Sequence, residues 1–217
     1  HIHAESEMPP WETLRKGINL VGFDFSDLPI LIKPNICTET DIYGAANTDI
    51  QVIRALTDTI LEENPESKVI IIESNSAGKN IENAFNHLGY FKLEKKYQNL
   101  GYDLSLVNLS EKPKTSIYFD GLYFDKLELP AILTKPKFFI SVAKAKTHSL
   151  TFITGVLKNQ FGCLPEKDKT RYHRYIDKVI VDLNRILQPD MCVVDALVGL
   201  EGRTGRPIKI GALIFGK

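Results

Sequence analysis

Cysteine is scarce in this 217-residue chain: Cys37, Cys163 and Cys192 are three in number and far apart in sequence. An odd, dispersed set argues against a disulfide framework and for a reducing interior, so a cytoplasmic location is the expectation. It also excludes a zinc ribbon or a self-contained four-cysteine cluster, so no iron–sulfur cluster is expected from this chain alone. Long apolar runs are missing too. None approaches the roughly 18 residues of a membrane span, and no membrane contact is expected. The N-terminus is polar and carries no secretory pattern. His1 and His3 read as non-native additions and are set aside, and both ends of the chain read as trimmed. An excess of either charge is absent: Lys+Arg and Asp+Glu are both 27. Net charge therefore gives no pointer to nucleic acid, which is the weakest of the binding readings. There is no Walker A sequence, GxGxxG, HExxH or nucleophile elbow. That removes the common NTPase, dinucleotide, zincin and α/β-hydrolase readings.

What is present is an ordinary globular composition, 43% hydrophobic and 25% charged, long enough to bury a sizeable core. The charge is not evenly spread. Residues 135–178 hold ten Lys/Arg against three Asp/Glu. A local cationic excess on a neutral chain fits an anionic ligand; the rival reading is a solvated surface balanced by acids elsewhere.

Periodicity supplies the elements. Helical spacing of Trp11, Leu14, Ile18 and Val21 predicts a helix over 9–21. The apolar run 28–32 is a strand that ends at Lys33-Pro34-Asn35. The polar segment 37–47 reads as a long loop. Thr48 to Gln51 reads as a capping box for a helix that stops before Pro65. Val69–Ile72 is a buried strand leading into the polar loop 73–79. The next helix carries Ile81, Ala84, Phe85 and Leu88 and is closed by Gly89. A weak strand covers 103–109, and Asp120-Gly121 marks a hairpin within 115–129. Phe138–Val142 is a strand followed by a loop bearing Lys144, Lys146 and His148. Thr147 would cap a helix that starts near Leu150 and aligns Thr151, Thr154 and Lys158 on one face. Gly155 inside that helix costs about 1 kcal/mol relative to Ala, which a close approach would explain. A further helix carries Tyr172 to Leu187. Met191–Val194 is a strand ending at Asp195, Leu197–Pro207 is a glycine-rich loop, and 210–215 is a last strand. The alternation predicts one α/β domain over 1–217: a three-layer α/β/α sandwich with a mainly parallel sheet and an antiparallel hairpin inserted near 110–130.

In such a sheet, polar clusters at strand ends converge on one crevice. Four are found: Lys33/Asn35/Cys37, Glu73/Asn75/Ser76, Lys144/Lys146/His148 and Asp195/Glu201. An anionic small molecule or phosphate-bearing cofactor there would contact Lys33, Asn35, Asn75, Lys144, Lys146, Thr154 and Asn159. His148 and Lys158 are the candidate catalytic pair. Asp195 and Glu201 would hold a metal or pair with the lysines. Cys37 is a weak nucleophile candidate, Cys163 and Cys192 read as buried small residues, and His173 reads as surface. Whether the chain is an enzyme stays open. The alternative is a non-catalytic module docking an acidic partner through the basic 135–178 surface. Substrate, cofactor and oligomeric state are not given by the residues.

The motifs Lys33-Pro34-Asn35, Glu73-x-Asn75, Leu88-Gly89-Tyr90, Lys144-x-Lys146-x-His148, Thr154-Gly155-x₂-Lys158-Asn159-x₂-Gly162-Cys163, Val194-Asp195 and Glu201-Gly202 occur in the order of a known family. The chain resembles the domain of unknown function 362 family over roughly residues 25–217. Many members carry a ferredoxin-like iron–sulfur module, for which this chain lacks the cysteines. The stretch His148-x₅-Thr154-Gly155-x₂-Lys158 is also similar to a His…Gly-Gly-x-Lys stretch of the lactate racemase family. That resemblance implies a nickel-pincer nucleotide as cofactor, with Lys158 and His148 facing it. The family's other histidines are missing here.

Overall fold

Alternate side chains of the apolar strands pack on opposite sides of one sheet. In the computed structural model, residues 10–23, 25, 27–202 and 205–217 are described, so His1 and His3 lie outside the described residues. The elements are α1 (Pro10–Val21), β1 (Ile30–Pro34), α2 (Ile50–Glu63), β2 (Val69–Glu73), α3 (Ile81–His87), α4 (Tyr90–Asn99), β3 (Leu104–Asn108), β4 (Lys114–Tyr118), β5 (Lys126–Pro130), β6 (Phe138–His148), β7 (Phe152–Thr154), α5 (Val156–Asn159), α6 (Ile176–Ile186), β8 (Met191–Glu201) and β9 (Arg206–Gly216). Ile30 and Ile32 of β1, Val69 and Ile71 of β2, and Ile140 and Val142 of β6 pack with the helices α1 to α4. Leu31, Ile70, Ile72 and Phe139 point the other way, onto α6 and the β4–β5 hairpin. Each such buried side chain contributes about 1.5–3 kcal/mol. The period of two thus builds both cores from one set of strands, which read as continuous apolar runs because both faces are covered.

The strand order is β3-β2-β1-β6-β8-β9, with β7 paired to β6. The first five run parallel. β9 returns antiparallel at the edge, and β4–β5 forms a separate antiparallel pair. The expected three-layer, mainly parallel architecture with an extra hairpin is therefore present. From β1 the chain builds outward through β2 and β3, then comes back to add β6 on the opposite side of β1. The switch in direction lies between β1 and β6, where open α/β sheets bind ligands at their carboxyl ends.

Several local expectations are corrected. The strand from Phe138 does not stop at Val142 but runs to His148, so Lys144 and Lys146 are strand residues. After a turn, β7 pairs back on it, Lys146 opposite Thr154 and His148 opposite Phe152. The expected helix from Leu150 shrinks to α5, and Thr151, Thr154 and Lys158 share no helix face. Thr147 does not cap it; its hydroxyl donates to the carbonyl of Gly202. Gly155 precedes α5 in an extended conformation, and a Cβ there would meet nothing within 4 Å. The Leu197–Pro207 segment is the end of β8, a turn and the start of β9. Gly199 is needed inside β8 because a Cβ would lie 2.8 Å from Ile210 and 3.0 Å from the carbonyl of Ala145. At α2 the cap is Asp49, whose carboxylate accepts from the Gln51 N–H at 2.8 Å. Thr48 instead donates to the Val142 carbonyl and accepts from the Asn35 N–H, tying β1 to β6. Gly89, at φ 86°, separates α3 from α4, a helix the stripe ending at Leu88 did not foretell.

Candidate functional site

A cleft of about 310 Å³ opens at the carboxyl ends of β1, β2 and β6, at the switch point. Six lysines line it: Lys33, Lys79, Lys146, Lys158, Lys167 and Lys169. The lining holds one carboxylate, Glu73. That carboxylate is already neutralised. Lys33 Nζ stands 2.6 Å from its Oε2 and Lys79 Nζ 3.6 Å from its Oε1, all three side chains being almost fully buried. Burial alone would raise the Glu73 carboxyl. The charges of Lys33 and Lys79, with hydrogen bonds from Lys33 and the Ser74 N–H, outweigh it and hold the group below its ordinary value.

The lysines fall into two kinds. Lys33 Nζ donates to Glu73, to the Pro34 carbonyl at 2.7 Å and to Asn159 at 3.3 Å. That uses all three of its protons. Lys79 donates to the Ile36 carbonyl. These two form the floor. Lys146 donates to the Ala46 carbonyl at 2.7 Å and sits beside the Cys37 thiol. Lys169 donates to Ser74 Oγ and the Asn75 carbonyl. Lys158 differs from these four: its amine makes no hydrogen bond or ion pair with the described residues, and Glu73 attracts it only from a distance; Lys167, likewise without such a partner, is exposed at the rim. It is half-buried, and burial together with the like charge of Lys146 brings its ammonium down to about 8. Burial brings Lys169 to about 8 as well.

His148 lines the same cleft. Its Nδ1 accepts from the Leu150 N–H at 3.2 Å, which leaves the proton of the neutral ring on Nε2. Burial and the charges of Lys158, Lys146 and His173 push its pKa down to about 4, so at neutral pH it is uncharged. With Nδ1 engaged and Nε2 protonated, the ring acts as a hydrogen-bond donor to the cleft; the base role that the sequence left open needs the tautomer reversed. Cys37 is exposed and lines the cleft beside Lys146. Cys163 is fully buried, and burial raises its thiol to about 12.

Asn159 works as a clamp. Its Nδ2 donates to the Lys33 carbonyl and Ser141 Oγ, both at 3.0 Å, and its Oδ1 accepts from Lys33 Nζ and Asn35 Nδ2. All four positions of the amide are taken by the protein, so the ligand contact expected of it has no atom left. Asn35 lines the cleft, its orientation is fixed by that clamp, and its buried Oδ1 has no partner. Asn75 lines the cleft, but its side chain caps the Ile81 N–H. Gly162 packs on the ion pair: a Cβ there would stand 2.8 Å from both Glu73 Oε1 and Lys33 Nζ.

Other sequence candidates lie elsewhere. Lys144 and Asp195 are cross-strand partners on β6 and β8 and form a buried ion pair at 2.9 Å, away from the cleft lining. Asp195 also accepts the N–H groups of Asp49 and Leu197, and Lys144 donates to the Gly44 carbonyl. The pair fastens the 37–47 loop and α2 to the sheet. Glu201 is exposed six residues further along β8, on the order of 20 Å away, so Asp195 and Glu201 do not meet at one ion. No group of three or more His, Cys, Asp or Glu among the described residues could hold a metal ion. Thr154 is buried with an unpartnered hydroxyl and stands outside the cleft lining.

Residues that sequence reasoning undervalued are Lys79, Lys167, Lys169 and His173, all in the lining. His173 is exposed and its ring lies 6.5 Å from that of Phe161 at the rim. The signal for most of them was the basic excess of 135–178, which did not say which lysines turn inward.

No helix of the described residues is long and apolar enough to cross a membrane. The family model described as "Domain of unknown function (DUF362)" matches residues 30–217. A thylakoid-associated protein of Synechocystis sp. is 28% identical over 104 residues, covering 43% of this chain and 32% of that protein. A crystal structure of a Thermotoga maritima protein superimposes with a TM-score of 0.55 at 10% identity, over 99% of this chain and 56% of that one. The lactate racemase apoprotein from Thermoanaerobacterium thermosaccharolyticum gives 0.52 at 11% identity, over 97% and 52%. The chain thus spans about a third of the thylakoid-associated protein's length and about half of both solved chains. At these identities the two structures share the fold.

Proposed function

The chain belongs to the domain of unknown function 362 family, whose description carries no reaction, and we propose from the cleft itself that it binds an anionic small molecule or the phosphate of a cofactor. One observation carries this reading: six lysines line a cleft whose single carboxylate is already paired twice. An anion is the ligand that relieves the remaining charge. Lys146, Lys158 and Lys169 neutralise it, with Asn35 Oδ1 accepting from a hydroxyl or N–H on the same ligand. His148 and Lys158 are the pair through which an enzyme would act. A flat acidic partner is favoured less, because Lys146, Lys158, Lys167 and Lys169 of the basic 135–178 segment line a concavity.

The cleft suits the phosphate of a pincer nucleotide better than its metal. His148 has one ring nitrogen engaged by Leu150, and the described residues bring no third ligand to it.

The test is calorimetric titration with phosphate, pyrophosphate and citrate. At least one should bind and raise Tm. Lys158→Ala combined with Lys169→Ala should weaken that anion by tenfold or more. Affinity should fall as pH rises past about 8, where both ammoniums lose their protons in the free protein. No heat with any of the three, or an unchanged affinity in the double variant, would sink the reading.

A further inference from the structure

A second depression adjoins the lysine cleft. It has a volume of about 440 Å³ and is lined by Ile153, Val156, Leu157, Ile180 and Val181, with Thr151 and the carboxylate of Asp177 at its polar margin. Ile153, Leu157 and Val181 are exposed there, at 67%, 63% and 45%. Lys158 is the residue common to both linings. A lysine side chain has an apolar stem and a polar tip, and such residues lie naturally along a boundary between apolar and wet surfaces. A ligand that fills both spaces is an amphiphile: an anionic head among the lysines, an apolar tail along the groove, and Lys158 beside the atoms that join them.

This rests on the anion-binding reading above and adds a chemistry to it. We infer that Lys158 is an amine nucleophile that forms an imine with a 2-oxo acid carrying an apolar side chain, its carboxylate held by Lys146 and Lys169 and its alkyl group by the groove. The geometry favours Lys158 over its neighbours. The amines of Lys33, Lys79, Lys146 and Lys169 are each committed to protein carbonyls or to Glu73, and Lys167 is exposed and does not border the groove, whereas Lys158 borders both spaces and its amine has no hydrogen bond or ion pair with the described residues. Burial and the nearby cations leave a part of it unprotonated at neutral pH, which a nucleophile requires. His148, a neutral donor in the same lining, is placed to hydrogen-bond the carbonyl oxygen.

The step balances without a redox partner. The amine nitrogen attacks the carbonyl carbon, forming the C–N bond. The carbonyl oxygen leaves as water, taking two of the three ammonium protons. The product is a protonated imine with the charge of the original ammonium.

The experiment is reductive trapping. The protein is incubated with 4-methyl-2-oxopentanoate or with pyruvate, sodium borohydride is added, and the product is read by intact mass and peptide mapping. The expected result is one adduct per chain, located at Lys158, formed several-fold more by the branched acid than by pyruvate, and absent in Lys158→Arg. The Tm shift induced by phosphate, pyrophosphate and citrate is measured on the same samples. If any of these anions raises Tm while no adduct forms, or adducts scatter over surface lysines, the imine is overturned and the anion site stands. Equal labelling by the two acids overturns the groove's role. A Tm that phosphate, pyrophosphate and citrate all leave unmoved overturns the reading on which the inference rests.

Discussion

Lys144 and Lys158 lie fourteen residues apart in the chain and meet opposite electrostatic conditions. Lys144 is buried with a carboxylate 2.9 Å away, a second acceptor in the Gly44 carbonyl, and no access to the cleft. Lys158 is half-buried among other lysines, with no acceptor among the described residues. Both sat in one basic segment of sequence. What separates them is the path of the chain: Lys144 pairs with Asp195 in register across β6 and β8, while Lys158 lies in α5, after the β7 return that carries it to the open end of the sheet. A buried cation that has its counter-charge holds the fold together. A cation without one is held in an unfavourable place by the fold, and that is the condition under which an external anion gains most.

The comparison is broken most forcefully from the Lys144 side. Lys144→Met leaves the Asp195 carboxylate buried with only backbone donors, and loss of one partner from a buried pair costs about 3–5 kcal/mol. Urea unfolding should show a lower midpoint at unchanged slope. Changing Asp195→Leu in the same chain should recover part of the loss but not all, because the N–H groups of Asp49 and Leu197 lose their acceptor. A single-variant loss under about 1 kcal/mol would mean that the pair does not fasten the loop to the sheet.

The contrast also shows where the sequence could be read. Apolar runs such as Ile30–Ile32 and Val69–Ile72 announce a doubly covered parallel sheet, and Pro34, Gly89 and Asp120-Gly121 mark their turns. The polar strands were harder. Ala143-Lys144-Ala145-Lys146 alternates with period two, a strand signal that its lysines disguised as a loop. Gly199 suggested a turn, yet it is a strand glycine that Ile210 and the Ala145 carbonyl press against. Because β6 and β8 both run on, the cation–carboxylate pairing of Lys144 with Asp195 was decided by register, which no single stretch of chain displays. The cleft lining was legible as strand ends carrying Lys33, Asn35, Glu73, Lys146 and His148, with Lys158 in the segment that follows. Which lysines are committed and which are free depends on partners 40 to 126 residues away, Glu73 and Asn159 for Lys33.

A middle-sized effect tests the floor of the cleft. Gly162→Ala places a methyl group 2.8 Å from both members of the Lys33–Glu73 pair, neither of which has room to yield. Overpacking of this kind costs about 1–3 kcal/mol. Gly155→Ala is the matched control: its backbone is extended and open, and its midpoint should stay within about 0.5 kcal/mol of the wild type. Equal effects at the two glycines would remove the argument that close approach to the ion pair is what demands Gly162.

The smallest effect has the opposite sign. Lys158→Met keeps the length of the side chain and removes a charge that the fold disfavours. Its ammonium is held at about 8 against 10.5 in the unfolded chain, so the folded state binds fewer protons between those values and wild-type stability rises with pH across that window. Below about 8 the penalty is fully present, and the methionine variant should be the more stable, by on the order of 1 kcal/mol after allowance for solvent screening. The gain should shrink as pH climbs toward 10.5, where lysine is neutral in both states. The same variant should lose anion-induced stabilisation. A side chain whose removal strengthens the empty protein and weakens its complex is maintained for the ligand. If Lys158→Met destabilises the protein at neutral pH, then Lys158 belongs with Lys144, and the division between fastening and receiving lysines fails at the residue on which it depends.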